Sequence, residues 1–578
     1  MKKYLLSLIA ALAATGVANA QYSATPDGIT IKSELQLDGL ITAENYVRHH
    51  AATIDASGNT FVSAAFDTDF FEIQPIGVSA MIVKLNDLGL KQWIAPIVGA
   101  ATVKSLVSDG NGGVFAAGVF ADEVEFQGTD GATIVKEGYQ EGGAYTTTQA
   151  ASFIAHYDAE GKLLAINKVV PEHDPNLDNT GMYYPIDGDV FCTIHKLMKD
   201  GDKLYAQFDY CGKVTALENS ATSGSMDMEG WGVYYQAMKA AGVAELDENL
   251  AFKKVLVNIN TNNFTQLYNN QQIFSSTAAI KDGQLYVGAI GNGDVNIAAF
   301  DGGFTISHQL PQAGGYNLGY LLTRFNLSNP SDQNFISRIG YTDDEYVAST
   351  MSDMFFSGDL LIVTGNFQDE LGFDKTITAT GSSDLYAAAI NPLDLSVVTA
   401  KASGYDEGDA TKNEEIFTSS AVCGNRMFIN GYTSNKSDHS LTAPLCYIYD
   451  MTNGTLSNID TNGGYIFGTA ANAAGDMLLN AWAASPFTAS NFSTYSVSSG
   501  GVSDATIGKA GVKVYPNPAT DYLHFTETCD VQLSALSGAT VAAAKGVNTL
   551  NVAALPAGVY VAKLTTKAAT TTVKVIIK

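Results

Sequence analysis

The chain has 578 residues, 59 of them acidic and 32 basic, for a formal net charge of −27. A surface of that sign repels phosphate backbones, which excludes nucleic acid as an expected partner. With 46% hydrophobic residues the chain can bury a large core, yet after the first twenty residues no apolar run is long enough to cross a bilayer as a helix.

The N terminus reads Lys2-Lys3, an apolar run from Tyr4 to Ala14, then Val17-Ala18-Asn19-Ala20. A charged start, a short apolar core and an A-x-A cut predict a signal peptide over 1–20, with the mature chain beginning at Gln21. No lipobox cysteine sits at the cut. Residues 21–47 contain the extended stretches Ile29-Thr30-Ile31-Lys32 and Glu34-Leu35-Gln36-Leu37, expected to add a strand to the last repeat described below and so close its ring.

From residue 48 to 500 a unit recurs: an apolar strand, a turn of Gly, Asp and Asn, a strand rich in Val, Phe and small residues, a variable loop, and a second strand pair. The first copy places Asp55-Ala56-Ser57-Gly58-Asn59 before Thr60-Phe61-Val62-Ser63-Ala64, and Asn86-Asp87-Leu88-Gly89 before Leu90-Lys91-Gln92-Trp93. The second repeats this with Asp109-Gly110-Asn111-Gly112-Gly113 and Asp158-Ala159-Glu160-Gly161. Five weaker copies have first turns at Lys199 to Asp202, Lys281 to Gly283, Phe356 to Asp359, Cys423 to Asn425 and Ala474 to Asp476. Four strands in each of seven repeats predict an all-β, seven-bladed β-propeller-like domain. Two stacked β-sandwiches are the alternative, because the repeat spacing is uneven. The first two copies resemble bacterial propeller repeats in which a D-x-x-G-N turn precedes a segment ending in Trp; Trp93 stands at that place in the first copy, and the second copy lacks it.

Cys192 and Cys211 flank a hairpin centred on Asp200-Gly201-Asp202. Opposed residues in a tight hairpin have a constant index sum, and this pair fits it within one. The spacing therefore predicts that the two face each other and can form a disulfide, which export permits. Cys423 and Cys446 are a looser second pair, and Cys529 is left over. No zinc-type spacing is present, so no metal ligand is named.

Three copies carry acids between aromatics after the second strand: Phe66 to Glu72, Phe120 to Phe126 and Phe367 to Phe373. Oxygen ligands of this kind are a candidate Ca²⁺ set, the one cofactor considered. Loop anchoring by the aromatic residues is the competing reading, favoured because the feature follows the repeat. Gly181-Met182-Tyr183-Tyr184 and Trp231-Gly232-Val233-Tyr234-Tyr235 are candidate stacking loops for sugars or peptides, set against plain packing. No GxSxG, HExxH or phosphate loop appears, and no catalytic residue is assigned.

After a small-residue linker over 501–510, residues 511–578 change character. Short strands alternate with Gly and Pro turns, which predicts a small β-sandwich. Its landmarks are Tyr515-Pro516-Asn517-Pro518, then Leu555-Pro556, Gly558 and Tyr560, and a basic-apolar end containing Lys574. Together and in this order they resemble the type A C-terminal sorting domain of the type IX secretion system of Bacteroidetes. Cys529 and the stretch Ala542-Ala543-Ala544 depart from that pattern. The resemblance implies passage through the outer membrane by the type IX machinery as partner, and an extracellular or outer-membrane surface location. The function expected is non-enzymatic binding or adhesion to a glycan, protein or surface component. An extracellular hydrolase or lyase on the propeller scaffold is the alternative.

Overall fold

A computed structural model describes residues 28–38, 51–65, 80–137, 151–171, 191–222, 225–227, 235–237, 239–261, 273–291, 294–299, 304–309, 318–327, 336–343, 349–372, 374–380, 383–404, 413–435, 440–451, 454–484, 489–497, 514–515, 519–535, 540–566 and 570–578. The expected signal peptide over 1–20, the expected linker over 501–510, the motif residues Pro516, Asn517 and Pro518, and the acidic copy over 66–72 lie outside them. Contacts divide the chain into two units, one ending at Val497 and one starting at Ser498.

In the first unit the described strands form antiparallel sheets of two to eight strands, within which seven four-stranded sets can be traced with shorter hairpins added to them. The first turn named for each copy joins the first and second strands of a set, and Asn86 to Gly89 and Asp158 to Gly161 join the third and fourth. The innermost strands are, in order, Ala52–Ile54, the second half of Lys91–Ser108, Phe191–Asp200, Ile273–Lys281, Asp353–Ser357, Asn413–Cys423 and Gly464–Ala471. Each of these strands touches the next set, and the last set touches the first. That cyclic radial packing is a β-propeller, an arrangement that keeps sheet edges short.

Two joints complete the ring. Ile29–Asp38 lies beside Ala489–Val497 as the outer strand of the seventh set, whose other members come from the far end of the domain. Lys91–Ser108 serves the first two sets at once, pairing with Ala80–Leu85 through Ile97 and with Val114–Gln127 from Ile97 onward. Gly99 marks the crossing, with φ of 129° and a virtual Cβ 2.8 Å from the Glu123 carbonyl, so only glycine fits.

Neighbouring sets are joined at both levels of polarity. Trp93, the outer-strand tryptophan of the first set, donates from Nε1 to the Ala159 carbonyl at 3.0 Å in the second. Its ring lies over Gly161, where a Cβ would sit 2.7 Å away. The D-x-x-G turn and the Trp of the repeat are thus two halves of one joint between blades. Lys84, buried over the Phe61 ring, donates to Gly112 and Ala159 carbonyls at 2.7 and 2.9 Å. Deeper in the sheets hydroxyls clip strand to strand: Ser152 accepts from Ile194 N and donates to the Cys192 carbonyl, both at 2.8 Å. Ser383 does the same for the backbone of Glu415.

The aromatic–acid segments extend these joints. Phe120 and Phe126 are buried, and Val114–Gln127 runs on past its blade to pair with Thr133–Glu137. Phe367 and Leu371 are buried, and Glu370–Gly372 pairs with Ile336–Asp343, the outer strand of the preceding set. Among the described residues, this recurrence holds a hairpin against the neighbouring blade.

The second unit is a β-sandwich-type domain. Tyr522–Ala535 pairs with Thr540–Asn551 along one edge and with Val514–Tyr515 and Gly558–Thr565 along the other, and Thr570–Ile577 follows. Leu523, Phe525, Leu533, Leu564, Val575 and Ile577 fill its core. Cys529 is buried there as a small apolar side chain, and burial pushes its thiol pKa up.

Candidate functional site: the axial cavity

The inner strands enclose a cavity of about 660 Å³ on the propeller axis, with wall residues from all seven sets. How side chains come to face it depends on one backbone feature. Five inner strands carry a β-bulge, at Lys104, His195, Phe274, Thr418 and Phe467. A bulge places two residues opposite one and re-aims a side chain. Lys104, His195, Thr418 and Phe467 all line the cavity.

The bulge at His195 also corrects the cysteine expectation. Between the turn and Lys196 the paired residues keep the register the spacing predicted, with Asp200 opposite Lys203 and Lys196 opposite Gln207. Beyond His195 the register slips by one, so Cys192 faces Tyr210 and Cys211 faces Phe191. Adjacent register positions point to opposite faces of a sheet. Cys192 and Cys211 are therefore not bonded, and all five cysteines are thiols. Burial pushes the Cys192 thiol up, away from reactivity. Cys423 and Cys446 also miss each other, lying opposite Arg426 and Asn430, and burial lifts the Cys423 thiol to about 12.

The wall is chemically uneven. The second and third sets contribute Lys104, His195 and Lys196. Across the axis the sixth and seventh contribute Phe417, Tyr432 and Phe467, with the Tyr432 and Phe467 rings 6.5 Å apart and edge-on. Thr277 and Ser352 of the intervening sets also line it, as do Ser105, Ser419 and Thr469 beside the charged and aromatic groups; Ser105 Oγ accepts from Leu197 N at 2.9 Å and Thr469 Oγ1 donates to the Leu479 carbonyl at 3.0 Å. The acid among the described wall residues is Asp353, which receives Lys196 Nζ at 2.6 Å; the same ammonium reaches the Met354 carbonyl at 2.6 Å.

Behind the cationic side lies a buried network. Asp209 Oδ2 takes Lys239 Nζ at 2.7 Å and lies 3.2 Å from His195 Nε2. Its Oδ1 accepts from Ser276 Oγ at 2.5 Å, and Ser276 Oγ in turn accepts from Gln207 Nε2 at 2.6 Å. Burial disfavours the Asp209 carboxylate, but Lys239 and His195 outweigh burial and hold its pKa far below the usual range. Asp209 thus fixes the ring of His195, whose side chain stays 40% exposed on the cavity wall.

The turns at the ends of the blades use their own acids. Asp55 Oδ1 accepts from Ser57 N and Asn59 N, both at 2.8 Å, and its Oδ2 from Asn59 Nδ2 at 2.7 Å. Asp109 accepts from Asn111 N and Gly113 N and meets His156 Nε2 at 3.1 Å. Among the described residues, no three His, Cys, Asp or Glu side chains converge as a metal set. Residues 181–184 and 231–234 lie outside the described part, while Tyr235–Ala237 pairs with Ser225–Asp227.

In the second domain the motif residues close a turn. Tyr560, 6% exposed, donates its hydroxyl to the Pro556 carbonyl at 2.7 Å, Leu555 packs on the core, and Gly558 opens the strand. Tyr515 is exposed with its ring 5.7 Å from His524, and Lys574 pairs through its backbone with Val561.

Residues 513–578 match the secretion system C-terminal sorting domain family. A tail of this type implies export by the type IX system to the cell surface or beyond. No curated protein matches the chain in sequence. Among solved structures, the Dos1 propeller is 9% identical with a TM-score of 0.37, covering 81% of this chain and 96% of that one. The Cps50 (Swd1) β-propeller domain of Myceliophteria thermophila is 10% identical with a TM-score of 0.35, covering 81% and 100%. A quinohemoprotein alcohol dehydrogenase of Pseudomonas putida HK5 is 10% identical with a TM-score of 0.36, covering 83% and 80%.

Proposed function

We propose that the passenger is a non-enzymatic binding protein of the cell exterior, which holds its ligand in the axial cavity of a seven-bladed ring. One observation carries this reading: the acid on the described wall, Asp353, is held by Lys196 at 2.6 Å. General acid–base chemistry on a propeller needs groups from several blades to converge at one point. Hydroxyls, aromatic rings and amines around 660 Å³ are instead the furniture of a recognition site.

One feature favours a hydrolase or lyase, the Asp209–His195 contact at 3.2 Å beside the cavity. Among the described residues the neighbouring hydroxyl, Ser276, donates to Asp209 rather than to the histidine. Binding of the purified chain to an array of glycans and surface polymers tests the two readings. Retention with the bound material recovered unchanged is expected. Product formation that disappears in His195→Ala establishes the enzyme instead.

A further inference from the structure

We propose that the axial cavity is a site for a neutral sugar, an uncharged ring with a C–H face and a rim of hydroxyls; this rests on the binding function above and specifies its ligand. Three features of the described wall select that chemistry. Its charges are spent within the protein, its other polar groups are uncharged, and its apolar surface is aromatic.

Lys196, from the third set, is held by Asp353 and the Met354 carbonyl of the fifth, both at 2.6 Å, so this contact joins sets that are not neighbours. His195 Nε2 lies 3.2 Å from Asp209, which also holds Lys239. Lys104 has a partner as well. An anionic ligand entering here has to displace one of these partners, and a cationic one has to take Asp353 from Lys196. Separating a part-buried ion pair leaves a charge without its partner, a cost that an uncharged ligand avoids.

The uncharged polar groups are of both kinds. Each inner strand is laddered on one side, so its other edge carries main-chain donors and acceptors toward the axis. Ser105 Oγ accepts from Leu197 N and keeps its own proton to donate. Thr277 and Ser352 add hydroxyls from the fourth and fifth sets. A sugar hydroxyl both donates and accepts, and so matches this wall without bringing charge.

The aromatic surface comes from the sixth set, backed by the seventh. Phe417 and Tyr432 are half-buried and line the cavity. Tyr432 is braced edge-on by Tyr465 and Phe467, each ring 6.5 Å away, which fixes its orientation. The negative face of such a ring takes the positively polarised C–H bonds on one side of a pyranose. A straight-chain polyol leaves the aromatic wall unused, and an apolar ring leaves the hydroxyls and strand edges unmatched. The volume, about 660 Å³, is that of a small-ligand pocket.

Calorimetric titration of the full mature chain with cellotriose, maltotriose, mannotriose, galactotriose and trigalacturonate tests this. At least one neutral trisaccharide is expected to bind at least about tenfold more tightly than trigalacturonate. Its affinity should change less than about twofold between about 50 and about 500 mM salt, because no ion pair is exchanged. Phe417→Leu and Tyr432→Leu keep an apolar side chain but remove the ring face, and each should weaken that sugar about fivefold. Amide exchange of the unaltered chain places the site without any variant: saturating sugar should slow exchange in Asn413–Cys423 and Gly464–Ala471. Absence of binding by every neutral trisaccharide, or trigalacturonate binding as tight as the best of them, overturns the proposal. So does protection confined to other strands, or unchanged affinity in a folded chain carrying both substitutions. Chromatography of the recovered sugar separates this site from the function it rests on. A bound neutral trisaccharide recovered cleaved keeps the site and overturns the non-enzymatic function. Retention on proteins or charged polymers with no neutral sugar bound does the reverse.

Discussion

The turn ends of the blades and the axial wall use the same residue types in opposite ways. At the turns, Asp55 and Asp109 spend their oxygens on amides of their own loops, and Asp200 accepts from Asp282 N and Gly283 N of the next blade at 3.1 and 2.7 Å. Lys281 donates to the Gly358 carbonyl at 2.7 Å and Lys199 to that of Asp109. Polar groups there are consumed in joining neighbours. On the axis, bulges turn Lys104 and His195 toward a cavity. A recurring charge in a propeller repeat is therefore a joint, and the charges that do not recur are the ones to inspect for a ligand.

Asp209 gives the sharpest test of that contrast, since it is buried and yet serves the axis. Asp209→Asn removes the charge that Lys239 and His195 face and should cost about 3 kcal/mol, as expected for breaking a buried ion pair. Urea unfolding followed by tryptophan fluorescence reads this out in the propeller alone, because Trp93, Trp231 and Trp482 all precede the sorting domain. The pH dependence has a fixed sign. The folded pKa of Asp209 is depressed, so its contribution is complete above the unfolded carboxylate value near about 4. It is lost as pH falls through the folded value. The gap between wild type and Asp209→Asn should be widest near neutrality and shrink below about pH 4. A gap that grows on acidification contradicts the assignment.

Trp93→Ala tests the joint side. The indole is 7% exposed and bridges two blades, so its loss should cost about 3 kcal/mol through cavity formation. Measured by circular dichroism in urea, a cost below about 1 kcal/mol would mean that the Trp–Gly161 contact is not what couples the first two blades.

The legibility of the sequence follows the same division. Turns were readable because Asp, Asn and Gly satisfy local backbone geometry, and local rules act within five residues. The sorting domain was readable because Tyr560 and Pro556 close a turn on each other, four positions apart. Trp93 was visible as a repeat position, but its partner Ala159 sits in the next blade. The axial site was hidden because a bulge leaves no residue signature, only a shift of register. One extra residue at His195 defeated the index-sum reasoning for Cys192 and Cys211, and the same residue forms the cavity wall. Lys104, Thr418 and Phe467 carried no signal at all in the chain order. Aligning the repeats by their turns and counting residues back along each inner strand would have exposed the offset.

Smaller effects separate a joint made of hydroxyls from one made of aromatics. Ser152→Ala removes a buried hydroxyl that both accepts from Ile194 N and donates to the Cys192 carbonyl, leaving both backbone groups without it. The expected cost is about 2 kcal/mol, since each orphaned buried group adds to the loss of the bond itself. Tyr560→Phe, by contrast, deletes only the hydroxyl that reaches Pro556 and keeps the buried ring, so about 1 kcal/mol is expected in the sorting domain. The two variants report on different domains, so tryptophan fluorescence should register the first and remain silent for the second. Detecting Tyr560→Phe then requires a probe within 513–578, such as amide exchange of the strand Gly558–Thr565. Faster exchange confined to that strand and its partner Thr570–Ile577 is the expected pattern. Unchanged exchange there would mean that the Leu-Pro-Ala-Gly turn is held by the packing of Leu555 and that the tyrosine hydroxyl contributes nothing to the fold.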